Sequence, residues 1–157
     1  MARRHKKHPI SIIIVILVLL AGLVAYFNPD IFNTKPEDPT PPAPVEGQVQ
    51  VHVIDVGQGD AVLVSTPDGH MLIDAGDNIE KYEQALKNYL DKLGIKTLDY
   101  FVLTHPHADH IGGADMILKN YTVKTVIMPD KAATSKVYEA VLDGIEQSGA
   151  DLMLAEA

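Results

Sequence analysis

The sequence has no cysteine among its 157 residues. This excludes structural disulfides, thiolate-ligated zinc, a thiol nucleophile and a lipid anchor on a cysteine. No acidic residue precedes Asp30, while Arg3, Arg4, Lys6 and Lys7 are four of the 13 basic residues. The remainder sets nine basic against 21 acidic side chains, a net charge near −12. A surface of that sign repels polyanions and excludes adhesion to nucleic acid through a broad basic patch. A phosphate-bearing substrate has to be held locally, by bound cations or a few placed side chains.

What is present is distributed unevenly. Residues 1–9 are basic, 10–27 apolar, 28–48 proline-rich, and 49–157 read as the one folded domain. The run from Ile10 to Phe27 carries no charge and as a helix spans about 27 Å, at about 1.5 Å per residue. It is predicted to be a single transmembrane anchor. The basic cluster beside it predicts a cytoplasmic N-terminus and an extracellular domain; a cleaved signal peptide is the competing reading. Residues 28–48 hold six of the ten prolines, which oppose helix and sheet alike and predict an extended stalk. There is no internal repeat, and no protein partner is evident.

Within the domain, Val49, Val51 and Val53 alternate with Gln50 and His52, the period of a strand with its valine face buried. Further strands are predicted at Ala61–Val64 and Met71–Ile73 around the turn Thr66-Pro67-Asp68-Gly69. Asp77 is placed to cap a helix whose stripe is Ile79, Tyr82, Leu86, Tyr89, Leu90 and Leu93, ended by Gly94. Then come a strand at Tyr100–Leu103, a short helix near Ala114–Lys119, a strand at Thr125–Met128, a helix at Ser135–Gln147 and a strand at Asp151–Leu154. Hairpins followed by strand–helix alternation predict an α/β fold, a mixed sheet with helices on one face. His52 and His70 read as ordinary surface residues.

The chemistry is concentrated in His105-Pro106-His107-Ala108-Asp109-His110. In extended backbone, residues two apart point the same way, so His105 and His107 can present both imidazoles to one side. Pro106 holds His105 away from helical geometry, and Asp109 and His110 follow where a short helix starts. Four ligand-type side chains within six residues, at the end of a buried strand, predict a metal site. Gly112 and Gly113 allow close approach.

The run His105-x-His107-x-Asp109-His110 resembles the HxHxDH motif of the metallo-β-lactamase superfamily, and Leu72-Ile73-Asp74-Ala75-Gly76 looks like its earlier strand-ending aspartate motif. The resemblance implies the N-terminal half of an αββα sandwich. It also implies two divalent metal ions, Zn²⁺ or Mn²⁺, with His105 and His107 on one and Asp109 and His110 on the other. Asp74 would orient the ligand loop. A narrower resemblance is carried by Asp55-Val56-Gly57-Gln58-Gly59-Asp60-Ala61, which is similar to the DVGQGDA signature of the branch containing the extracellular hydrolase domain of bacterial DNA-uptake competence proteins. Asp60 either approaches the metals or fixes its loop.

The activity implied is water activation by a metal pair, with a phosphodiester such as DNA as substrate and Asp109 and His110 as the catalytic residues. Another ester or a lactam is the alternative within the fold. The sequence departs from the family pattern after His110, where no histidine occurs. The second half of the superfamily domain, which supplies further ligands, has no match. The expectation is an incomplete hydrolase domain, part of a longer enzyme, and the competing reading is a vestigial metal-binding module.

Overall fold

The computed structural model describes residues 9–27 and 47–155, and the chain divides into two units, 1–40 and 41–157. In the first unit the apolar run forms helix α1 (Pro9–Phe27). The expected membrane anchor is nevertheless corrected: among the described residues no helix is long and apolar enough to cross a membrane. The expected single-pass localisation falls with it. The basic tail before Pro9 and most of the expected stalk, 28–46, lie outside the described residues.

The second unit is built on a six-stranded sheet in chain order, β1 (Gln50–Val53), β2 (Val62–Thr66), β3 (Gly69–Ile73), β4 (Thr97–Val102), β5 (Thr122–Pro129) and β6 (Asp151–Ala155). The first three are antiparallel neighbours and the last three join in parallel, so the sheet is mixed, as expected. Parallel neighbours need crossovers, supplied by α2 (Glu80–Lys92), by α3 (Ala108–Ile111) with α4 (Ala114–Asn120), and by α5 (Lys136–Ser148). Because β3 to β6 advance in one direction, crossovers of a single hand put all these helices on one face.

That face holds the core. Leu63, Leu72, Phe101 and Val126 stand side by side across four strands and are fully buried, against Leu86 and Leu90 of α2, Ile117 of α4 and Val141 of α5. Helix α5 has both ends closed chemically. The Ser135 hydroxyl accepts from the Tyr138 N–H at 3.1 Å, and Gly149 takes the left-handed conformation after the last turn. The predicted cap of α2 is not formed: the helix starts after Ile79, and the Asp77 carboxylate accepts from its neighbour Asn78 instead. Asp77 sits three residues before the first helical turn, out of reach of its free N–H groups.

The orientation of β1 reverses the sequence expectation. Val51 and Val53 are exposed and His52 is buried, because His52 pairs with Leu63 and therefore shares the helix-covered face. On the opposite face Val53, Val62, Ile73, Val102, Ile127 and Met153 form a continuous apolar row across all six strands, and no helix of this unit packs on it. An alternating strand reveals that its faces differ, not which one a helix will cover.

His52 is thus a core group: its Nδ1 meets the Tyr89 hydroxyl at 2.9 Å. His70 is half-buried, its Nδ1 2.8 Å from the Ser65 hydroxyl, so neither is the plain surface residue expected. Burial holds the His52 pKa below its ordinary 6.5, since desolvation penalises the charged ring. The unfolded chain then takes up the proton first as pH falls. Stability from a neutral His52 is complete above about 6.5 and is lost as pH falls toward the lower folded-state value. Urea unfolding of His52→Leu between pH 7 and pH 5, flanking that ordinary value of 6.5, is expected to give a shallower fall in midpoint than the parent. Parallel slopes would exclude this role for His52.

Candidate metal centre

The predicted site residues meet at the carboxyl ends of β3 and β4, the usual place for chemistry on parallel strands. Ile73 and Val102 are register partners, so Asp74 emerges beside the loop that follows β4. The Asp74 N–H donates to the Val102 carbonyl at 2.8 Å, and the residue takes a left-handed φ of 55°. That strained conformation turns its carboxylate under the histidine loop.

Asp74 is buried, and three donors converge on it. The Thr104 N–H donates to Oδ1 at 2.8 Å, the Thr104 hydroxyl donates to Oδ2, and His110 Nδ1 lies 2.9 Å from Oδ2. The same Thr104 hydroxyl stands 3.0 Å from His105 Nδ1. As the hydroxyl gives its one proton to Asp74, it accepts from His105. Both imidazoles are therefore protonated at Nδ1, His110 against Asp74 directly and His105 through Thr104. Their Nε2 lone pairs are left free, the tautomer that metal-binding histidines take when an acceptor stands behind the ring. Sequence reasoning passed over Thr104. A hydroxyl just ahead of the first motif histidine was its only signal.

The rings of His105 and His110 lie 3.9 Å apart between centroids, and those of His105 and His107 4.7 Å. Asp109 and His110 occupy α3, whose N-cap is His107, and the Asp109 carboxylate is 3.9 Å from His110 Nε2. Donor atoms of Asp74, His105 and His110 come within 4.8 Å of one another. His107 and Asp109 stand at the edge of this group, more open to solvent. Asp74 is near enough to be a ligand, and its oxygens also accept from Thr104 and His110. Two imidazoles and a carboxylate are a donor set that divalent metal ions accept.

The glycine loop before β2 forms a wall of this centre. Gly59 has φ +98°, and a β-carbon there would overlap the carbonyl oxygen of Asp109. The following Asp60 accepts at its carbonyl from the Gly76 N–H at 2.9 Å. The Ala75 N–H donates to the His110 carbonyl at 2.8 Å. Gly113 admits the Ala75 backbone at a distance that any side chain would close. The close approach expected of the second glycine pair is therefore between backbones of the protein itself.

Residues 54–149 match the family model described as the Metallo-beta-lactamase superfamily, and the chain belongs to that superfamily, whose members are generally hydrolases. Among curated proteins, ComE operon protein 3 of Bacillus subtilis (strain 168) is 35% identical over 116 residues, covering 64% of this chain and 15% of that protein. Competence protein ComA of Neisseria gonorrhoeae is 35% identical over 103 residues, covering 66% of this chain and 13% of that protein. These relatives support the competence-type branch, and the chain spans only a small part of their length. A hydroxyacylglutathione hydrolase of Chromohalobacter salexigens is 36% identical over 73 residues, covering 46% of this chain and 26% of that protein.

Proposed function

We propose that this domain contributes to a metal-dependent phosphodiesterase, with His105, His107, Asp109 and His110 as ligands to a pair of divalent cations and DNA as a candidate substrate. The observation that carries the reading is the pair of imidazoles tied at Nδ1 to one buried carboxylate, with both Nε2 atoms free. Bound divalent cations would supply a hydroxide near neutral pH and neutralise charge on the electrophile. The chain's own part is to present the ligands in a fixed orientation. Asp109, on the Nε2 side of His110 and partly exposed, is the group placed to accept a proton from, and orient, an attacking water. The acidic surface supports a local cationic hold on phosphate, for it offers no diffuse one.

A second reading is thioester hydrolysis, favoured by the similarity to hydroxyacylglutathione hydrolases. The purified chain, loaded with Zn²⁺ or Mn²⁺, should be assayed on bis-p-nitrophenyl phosphate, single-stranded DNA and a hydroxyacylglutathione thioester. Metal content is measured in parallel. The double substitution of Asp109 and His110 to alanine is expected to remove metal and lower diester cleavage by at least about 100-fold, in line with losses when a metal site is dismantled. Unchanged metal content and cleavage in that variant would overturn the site. Cleavage of the thioester alone would replace the phosphodiester reading with the second.

A further inference from the structure

Asp60 precedes β2 by two residues, and Val62 at the start of β2 pairs with Ile73 at the end of β3. The antiparallel register therefore returns Asp60 to the end of the sheet from which Asp74 emerges. Its backbone is tied there by the hydrogen bond from Gly76, while Gly59 seats the loop on Asp109. The Asp60 side chain is 68% exposed, and its Oδ2 lies 3.6 Å from His110 Nδ1. His110 thus has two carboxylates at one ring nitrogen: the buried Asp74 at 2.9 Å and the open Asp60 at 3.6 Å.

The two nitrogens of an imidazole point in diverging directions, so a group facing Nδ1 is on the far side of the ring from a cation bound at Nε2. Asp109, in contrast, is on the Nε2 side. We infer that Asp60 is a positioning residue for His110 and not itself a metal ligand, an inference that rests on the metal-centre reading above. Its negative charge favours the orientation of His110 that directs Nε2 to the cation, and strengthens that nitrogen as a donor when the ring takes on positive character. Gly59 serves this end, packed on the Asp109 carbonyl, while Gly57 seats the loop on the Tyr82 ring. The absence of a side chain at Gly59 lets the loop approach closely enough to bring a surface carboxylate to a half-buried ring.

The test is a double-mutant cycle on metal affinity in the full chain, with Asp60→Asn, His110→Ala and the pair, using Zn²⁺ in competition with a chromophoric chelator. Asp60→Asn alone is expected to weaken Zn²⁺ binding by about 10-fold, the lower range for loss of a group that holds a ligand in place, and to have no further effect once His110 is alanine. The visible spectrum of the Co²⁺-loaded Asp60→Asn protein is expected to keep the parent's band intensity, because no ligand has been removed. The same loss with and without His110, or a changed Co²⁺ spectrum, would show Asp60 to be a direct ligand and overturn the inference. So would unchanged affinity accompanied by a lowered melting temperature, which would mark Asp60 as a loop residue only. If the parent chain itself binds neither metal, the metal-centre reading fails and the inference with it. If the parent binds and the cycle is additive, only the inference fails.

Discussion

Asparagine at position 74 is expected to leave the chain folded and yet weaken metal binding by roughly 10- to 100-fold, the range seen when the partners that hold metal ligands are lost. Asparagine keeps the size of aspartate and tolerates the left-handed φ of 55°. Its oxygen can still accept from the Thr104 N–H. The amide NH₂ then replaces the oxygen facing His110 Nδ1 and the Thr104 hydroxyl. A donor at that position forces His110 to accept at Nδ1 and carry its proton on Nε2, the nitrogen needed for the cation. Thr104 must likewise turn its proton away from the new amide and toward His105. Alanine at the same position has a different signature. It removes the acceptor of the Thr104 N–H and places an ordinary residue in left-handed backbone, together costing roughly 2 kcal/mol. Chemical denaturation and Zn²⁺ titration of the two variants separate these effects. Parent-like affinity in Asp74→Asn would mean that the aspartate does not set the histidine tautomer.

Valine at position 59 is expected to lower the melting temperature of the domain by roughly 12 to 24 °C, since about 3 kcal/mol is lost and each kcal/mol is worth some 4 to 8 °C in a domain of this size. Two costs add. A β-branched residue at φ +98° is strained by about 1 to 3 kcal/mol. Its β-carbon also meets the Asp109 carbonyl, which α3 holds in place and which is not the movable tip of a side chain. Either the loop lifts away, carrying Asp60 off His110, or α3 shifts and takes Asp109 and His110 with it. The loss of stability should therefore come with weaker metal binding, unlike an equally destabilising change in the distant core such as Leu90→Ala. Thermal melts with and without Zn²⁺ check this. A Gly59→Val protein that keeps both its melting point and its affinity would show the loop to be free of the site.

The histidine loop was legible in the sequence because its ligand types are neighbours along the chain. Local geometry, extended backbone and then one helical turn, brings His105 and His110 together and leaves His107 and Asp109 at their edge. The α/β order was legible for a similar reason, as the two hydrophobic periods differ residue by residue. Thr104 was not, since one hydroxyl among many becomes a relay only when Asp74, 30 residues earlier, lies beneath it. The cap predicted at Asp77 failed because capping residues identify the neighbourhood of a helix start and not its first turn.

By itself, the sequence determined the family, the clustering of ligand-type side chains at His105 to His110 and the existence of two unlike sheet faces, all properties of neighbouring residues. Which face the helices cover, and hence that His52 is buried while Val51 and Val53 are exposed, was decided only by the crossovers between parallel strands. Tertiary structure also joined the glycine loop, the Asp74 turn and the histidine loop into one centre. Contacts between segments so far apart in the chain depend on strand register, and register belongs to the assembled sheet, not to any stretch of chain.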